Sequence, residues 1–185
     1  MSSDSSNRKP SAFGTVRPVI VLVVICVVAG TLLGLVHGVT EPLALANEQQ
    51  REQQIYQELF PNATSFEDVS CDVEGCLSVK RALDASGAKV GTVVPTQSKG
   101  YGGQVGLVVA FGEDGFVSNI VAIPTDETPG LGTKVNDESY IGQYVRLPSE
   151  LLSEDSVDFI SGATISSKAV LAAYNIAVQA YLEVQ

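Results

Sequence analysis

The sequence predicts an α+β chain. One N-terminal transmembrane helix comes first, then a small antiparallel sheet packed with helices, the last of which opens at the Ser-Gly-Ala-Thr motif of residues 161–164. Three observations predict it. An uncharged apolar run occupies residues 19–36. Two pairs of β-branched runs, each pair joined by a turn-rich spacer, fill the middle of the chain. Apolar residues at helical spacing close it.

Residues 1–18 are polar and Ser-rich, a composition that buries too little apolar surface to fold. The run VIVLVVICVVAGTLLGLV, Val19 to Val36, holds 18 residues without a charge. At 1.5 Å per residue it reaches about 27 Å, close to the thickness of a hydrocarbon core. It is long for the apolar part of a signal peptide, and no small-residue cleavage site follows it. Ile25 before Cys26 does not fit a lipoprotein cleavage site.

Arg8, Lys9 and Arg17 precede the run, whereas Glu41 and Glu48 follow it before Arg51. The positive-inside rule therefore places residues 1–18 in the cytoplasm, 19–36 across the inner (cytoplasmic) membrane, and the remainder on the periplasmic side. Gly30, Gly34 and Gly38 recur at every fourth position. That spacing lets membrane helices approach closely and points to other membrane subunits as partners; Gly is also simply common in membrane helices.

Residues 37–61 read as a juxtamembrane helix, rich in Gln, Glu, Leu and Ala and ended by Pro61. The tract 62–76 reads as loop. CLSVKRAL and KVGTVVPTQS flank the turn sequence DASGA, and QVGLVVAFG and FVSNIVAIP flank EDG, so each pair predicts a β-hairpin. A Gly- and Pro-containing loop follows, then a short helix near Leu147–Ser153. The final helix, from about Thr164 to Val184, carries Val170, Leu171, Tyr174, Ala177, Val178, Tyr181 and Leu182 on one stripe.

Charge and residue inventory exclude several functions. Beyond the span, 8 Lys and Arg face 20 Asp and Glu, a balance that disfavours nucleic acid and anionic lipid as partners. His37 is the only His and lies beside the membrane, so the outer region has no Ser-His-Asp triad. Cys71 and Cys76, in CDVEGC, make a poor zinc site by themselves, and no metal site is predicted. Outside the membrane they form either a structural disulfide or two free thiols. GYGGQVG fails the dinucleotide spacing, with Val105 at the third glycine position, and precedes a strand rather than a helix. Such a domain holds another group to do its chemistry.

Two stretches are suited to holding one. In DFISGATISSKAV, Gly162 and Ala163 keep the helix entrance open, and Thr164, Ser166 and Ser167 set hydroxyls there. A helix start carries unpaired N–H groups and a partial positive charge, so it accepts a phosphate. Lys168, a cation opposing the helix dipole, makes more sense with an anion nearby. The competing reading is an ordinary N-cap at Ser161 or Thr164. In DETPGLG, Pro129, Gly130 and Gly132 make a loop whose backbone suits a planar ligand, with Leu131 as an apolar face. A tight surface turn explains that loop equally well.

The two stretches together resemble the FMN-binding domain family. SGAT resembles its flavinylation signature and ETPGLG its second shared stretch, in matching order behind a span. The branch resembled is the G-type subunits of Rnf ion-translocating electron-transport complexes, with the C-type subunits of the sodium-translocating NADH:quinone reductase as relatives. The resemblance implies that residues 62–185 form an extracytoplasmic FMN-binding domain. It implies FMN joined covalently to Thr164 through a phosphoester, installed by a flavin transferase that uses FAD and Mg²⁺. Ser161, Gly162 and Ala163 would form the recognition sequence and, with Ser167, the phosphate end. Glu127, Thr128, Gly130 and Leu131 would lie against the flavin. The chain would then be an electron-transfer subunit, a redox carrier rather than an independent catalyst. Family members often carry His or another polar residue just before ETPGLG; Thr125 and Asp126 stand there in this chain, and a carboxylate beside the ring would alter its potential. The alternative function is a flavin-free, membrane-anchored assembly or binding module in which SGAT is only a cap.

Overall fold

Apolar surface needs an apolar neighbour, and the chain provides for this in two separate ways. The computed structural model describes residues 12–185; positions 1–11 of the expected tail lie outside the described residues. Two compact units divide between Arg51 and Glu52.

The first unit is helical. Helix α1 runs from Ala12 to Leu59, so the segments expected at 19–36 and 37–61 form one continuous helix. Among the described residues, one stretch is long and apolar enough to cross a membrane: Pro18–His37, 20 residues with mean hydropathy 3.1 and none of it buried within the protein. At 1.5 Å per residue it covers about 30 Å. Its hydroxyl is satisfied internally, as hydrocarbon requires, since Thr31 Oγ1 donates to the carbonyl of Val27 at 2.7 Å.

The second unit is built on a five-stranded antiparallel meander in chain order. Its strands are β1 (Ser65–Val69), β2 (Val79–Leu83), β3 (Lys89–Lys99), β4 (Gln104–Gly112) and β5 (Val117–Ile123). The two expected hairpins are β2–β3 and β4–β5. Strand β1 corrects the expectation of a loop over 62–76. Its sequence, SFEDV, has the polar pattern of an exposed edge strand and lacks the apolar run that marks the others. Pairing with β2 forms it, in the register Ser65↔Leu83 to Val69↔Val79, and Lys80 ion-pairs with Asp68 across the two strands.

Both faces of the sheet are covered, which explains why β4 reads QVGLVVAFG rather than alternating polar and apolar. Val105, Leu107, Val109 and Phe111 pack in the cluster shared with helix α3 (Thr164–Glu183). Val108 and Ala110 face the other way and pack with Val93, Tyr56 and Leu59. The Phe111 and Tyr181 rings stack at 4.2 Å between centroids. Thr96 Oγ1 donates to the carbonyl of Ala173 at 2.9 Å, tying the buried β3 to the middle of α3.

The connection from β5 to α3 departs from expectation. It contains a 3-10 turn at Gly132–Asn136, helix α2 at Glu138–Ile141 and a second 3-10 turn at Gly142–Tyr144. The short helix expected at Leu147–Ser153 is absent. Its first residues run alongside the start of β5 instead: the Val117 N–H donates to Leu147 O at 2.9 Å and the Ser149 N–H to Gly115 O at 3.0 Å. A helical turn forms only at Glu154–Ser156.

Replacing Phe111 by Ala would leave a cavity under α3. Urea unfolding of the detergent-solubilised chain is expected to show a loss of about 3–5 kcal/mol, whereas Ser118→Ala on the exposed side of β5 changes stability by less than about 1 kcal/mol.

Candidate functional site

The site forms where three segments far apart in the chain meet one carboxylate. Glu127 follows β5 and is 3% exposed. Its Oε1 accepts the N–H of Tyr101 at 2.7 Å and that of Gly102 at 3.2 Å, both in the β3–β4 turn. Its Oε2 accepts the hydroxyl of Ser166, in the first turn of α3, at 2.9 Å. A buried carboxylate is costly unless such donors surround it. The glycine-rich turn that fails as a dinucleotide motif therefore gives its backbone donors to this side chain.

The loop after Glu127 is drawn tight against it. A Cβ at Gly132 would fall 2.6 Å from Glu127 Oε2, so only glycine allows this approach. The N–H groups of Leu131 and Thr133 donate to the Thr128 carbonyl at 3.2 and 3.3 Å, and the Gly130 N–H donates to Thr133 Oγ1 at 3.0 Å. The turn leaves Leu131 projecting, 41% exposed.

The entrance to α3 is shaped by a positive-φ glycine. Gly162 has φ +83° and is followed by Ala163, the N-cap residue. No side chain caps this helix, so the expected alternative of an ordinary cap at Ser161 or Thr164 does not hold. Thr164 is exposed at the helix start. The Ser167 hydroxyl turns inward and accepts the Ile160 N–H at 3.1 Å, fixing the preceding loop. Lys168 is directed to Glu154, with Nζ 2.7 Å from Oε2, and is not among the pocket-lining residues.

These segments enclose a pocket of about 530 Å³, within the usual range for small-molecule sites. Of the residues singled out from sequence, Thr164, Gly162, Ala163, Glu127, Thr128 and Leu131 line it; Ser161, Gly130 and Ser167 do not. Asp126 is exposed and does not line it either. Ser166 and Gly132, set by the sequence at the helix entrance and in the DETPGLG loop, line it as well; Tyr101 and Ile165 also line it, although the sequence pattern did not place them there. A Tyr within a glycine-rich turn was the one available signal for Tyr101.

The walls differ in chemistry. The uncapped start of α3, with Thr164, is part of the wall. The lining also includes Tyr101, Leu131 and Ile165, at 72%, 41% and 55% exposure. Three large apolar side chains around one opening are costly in water and are suited to covering a flat apolar group. FMN has both features, a phosphate and a planar ring, and the residues present fit it.

Glu127→Ala would leave two backbone N–H groups and one hydroxyl without their acceptor. A loss of about 2–4 kcal/mol in urea unfolding is expected. Glu127→Gln, whose amide oxygen still accepts, is expected to lose less than half of that.

A family model described as the FMN-binding domain matches residues 100–179. The G subunit of the ion-translocating oxidoreductase complex of Methanosarcina acetivorans is 32% identical over 172 residues, covering 88% of this chain and 92% of the relative. The G subunit of the proton-translocating ferredoxin:NAD(+) oxidoreductase complex of Clostridium ljungdahlii is 30% identical over 156 residues, covering 80% and 82%. Among solved structures, NqrC of Shewanella oneidensis superposes with a TM-score of 0.47 at 21% identity, covering 66% of this chain and 70% of that one. With its similarity to these two G subunits running along most of both chains, the protein belongs to the FMN-binding domain family, among the G subunits of ion-translocating oxidoreductase complexes.

Proposed function

We propose that this chain is the flavin-carrying electron-transfer subunit of a membrane-bound, ion-translocating oxidoreductase complex, with FMN bonded to Thr164. The carrying observation is the uncapped start of α3 inside the pocket. Thr164 lines the pocket at a helix start whose N–H groups no side chain caps, in a wall that also contains the exposed apolar side chains Leu131 and Ile165.

The bond is a phosphoester between Thr164 Oγ1 and the FMN phosphate. A separate flavin transferase forms it: the Thr164 hydroxyl loses its proton and bonds to the FMN phosphorus of FAD, the pyrophosphate P–O bond breaks, and AMP leaves. Gly162 and Ala163 keep the approach to that hydroxyl open, and the helix N-terminus stabilises the phosphate charge. Tyr101, Leu131 and Ile165 cover the ring. Bound FMN supplies one- and two-electron redox chemistry; the protein's part is to hold and orient it. Glu127 keeps the wall segments together and places one carboxylate in the lining, where negative charge disfavours the reduced anionic ring. Covalent attachment makes retention independent of affinity, which matters for a domain on the periplasmic side, where released flavin is diluted. The span and the complex membership of the relatives support docking with other membrane subunits.

Thr164→Ala, coexpressed with the transferase, is expected to abolish flavin fluorescence in the denatured protein band. Its intact mass should equal that of the bare chain. Fluorescence persisting in this variant would remove Thr164 from the assignment. A bare-chain mass for the wild type taken from native membranes would overturn the flavoprotein reading and favour a flavin-free module.

A further inference from the structure

We propose that Cys71 and Cys76 are joined by a disulfide that closes the β1–β2 connection beside the far end of α3, formed as the domain matures outside the membrane. The proposal rests on the outward placement of residues 62–185 proposed above, and nothing in the flavin assignment requires it.

The backbone between the two cysteines is fixed as a turn against the sheet. Residues 73–76 form a turn in which the Cys76 N–H donates to Val73 O at 3.1 Å, with Gly75 at φ +87°. That turn is fixed against β3: the Gln97 N–H donates to Gly75 O at 2.9 Å, the Leu77 N–H to Pro95 O at 2.9 Å, and Cys76 forms a bridge with Thr96. No residue other than glycine fits at position 75, because a Cβ there would fall 2.8 Å from Ile176 Cδ1 and 2.9 Å from Gln97 O. Both sulfurs are half-buried and pack on the edge of the main core. Both pack against the same core cluster, and Cys71 is near enough to raise the pKa of the Cys76 thiol. Cys76 Sγ also lies 3.3 Å from Ser78 O, and Cys71 Sγ lies 3.8 Å from Glu183 Oε2.

Other uses of the pair are disfavoured. Among the described residues, no group of three His, Cys, Asp or Glu side chains is placed to hold a metal. Burial first, and contact with Cys71 next, push the Cys76 thiol up to about 12, so it is not a thiolate available for catalysis at neutral pH. Neither cysteine is among the pocket-lining residues, and Cys71 lies beside Glu183, the last residue of the 20-residue α3 that Thr164 begins. The bond is therefore structural. In forming it, each thiol gives up a proton and an electron. A protein disulfide of the extracytoplasmic space accepts both electrons and both protons and leaves as a dithiol.

Counting thiols in the full chain tests this. Protein purified from membranes in detergent and denatured with excess maleimide is expected to take one adduct, at Cys26, without reductant. It should take three after reduction, matching its three cysteines. The unreduced tryptic peptide 52–80 should be lighter by two hydrogens. Three adducts without reductant would overturn the disulfide. Reduction of the native protein, or the double variant Cys71→Ser/Cys76→Ser, is expected to lower Tm by about 5–10 °C with flavin loading unchanged. An unchanged Tm would overturn its stabilising role. Ala85→Cys, in a background with the three native cysteines replaced by Ser, reports the compartment separately. Labelling by an impermeant maleimide on intact cells supports the outward placement, and protection would overturn it, while the adduct count still decides the disulfide.

Discussion

The carboxylate of Glu127 is the point on which the site depends. It sits in the interior with no cation beside it in the pocket wall, and two peptide N–H groups and one hydroxyl stabilise it. Each donor belongs to a different part of the chain from Glu127, separated by 26, 25 and 39 residues. A short charged acceptor with three converging donors has essentially one satisfactory arrangement, so the turn after β3, the loop after β5 and the first turn of α3 are held in one geometry. The glycines at 102 and 132 are consequences of that closeness. A side chain at either would strike the Asp126 carbonyl or the Glu127 carboxylate.

That arrangement needs a rigid support, and the meander supplies it. Strands β3 and β4 pair over nine residues and are buried on both faces, by α3 on one side and by the Tyr56–Leu59 turn on the other. Helix α3 thereby has two jobs at different places. Its middle and C-terminal turns fill the core through Ala173, Tyr174, Ala177 and Tyr181, while its first turn is left uncapped at the pocket. An uncapped helix start loses about 1 kcal/mol relative to a capped one. Burial along the rest of the helix offsets that loss and leaves the N–H groups free for a ligand.

The pocket wall combines one buried carboxylate with exposed apolar surface. Lys168, which from sequence belonged with a bound anion, is paired with Glu154, so the positive character of the pocket wall is that of the uncapped helix N–H groups. Asp126 is likewise turned to solvent. Among the pocket-lining residues the charged side chain is that of Glu127, already partly neutralised by its donors.

The sequence by itself determined the elements whose residues carry a strong local period: the apolar span, the two hairpins and α3, whose start at Thr164 coincides with the motif. It also determined which motifs to pair, since SGAT and ETPGLG are local strings. Tertiary structure decided what depends on neighbours. Strand β1 is polar and exists because β2 offers it an edge. Residues 147–149 have no helical fate because the start of β5 takes their hydrogen bonds. Ser167 turned inward to the Ile160 N–H, and Ser166 turned to Glu127, although both are hydroxyls one position apart at a helix start. Tyr101 entered the pocket wall because Glu127 holds its backbone. Local periodicity is encoded along the chain, whereas hydrogen-bond partners at long sequence separation are chosen only when the folded surfaces meet.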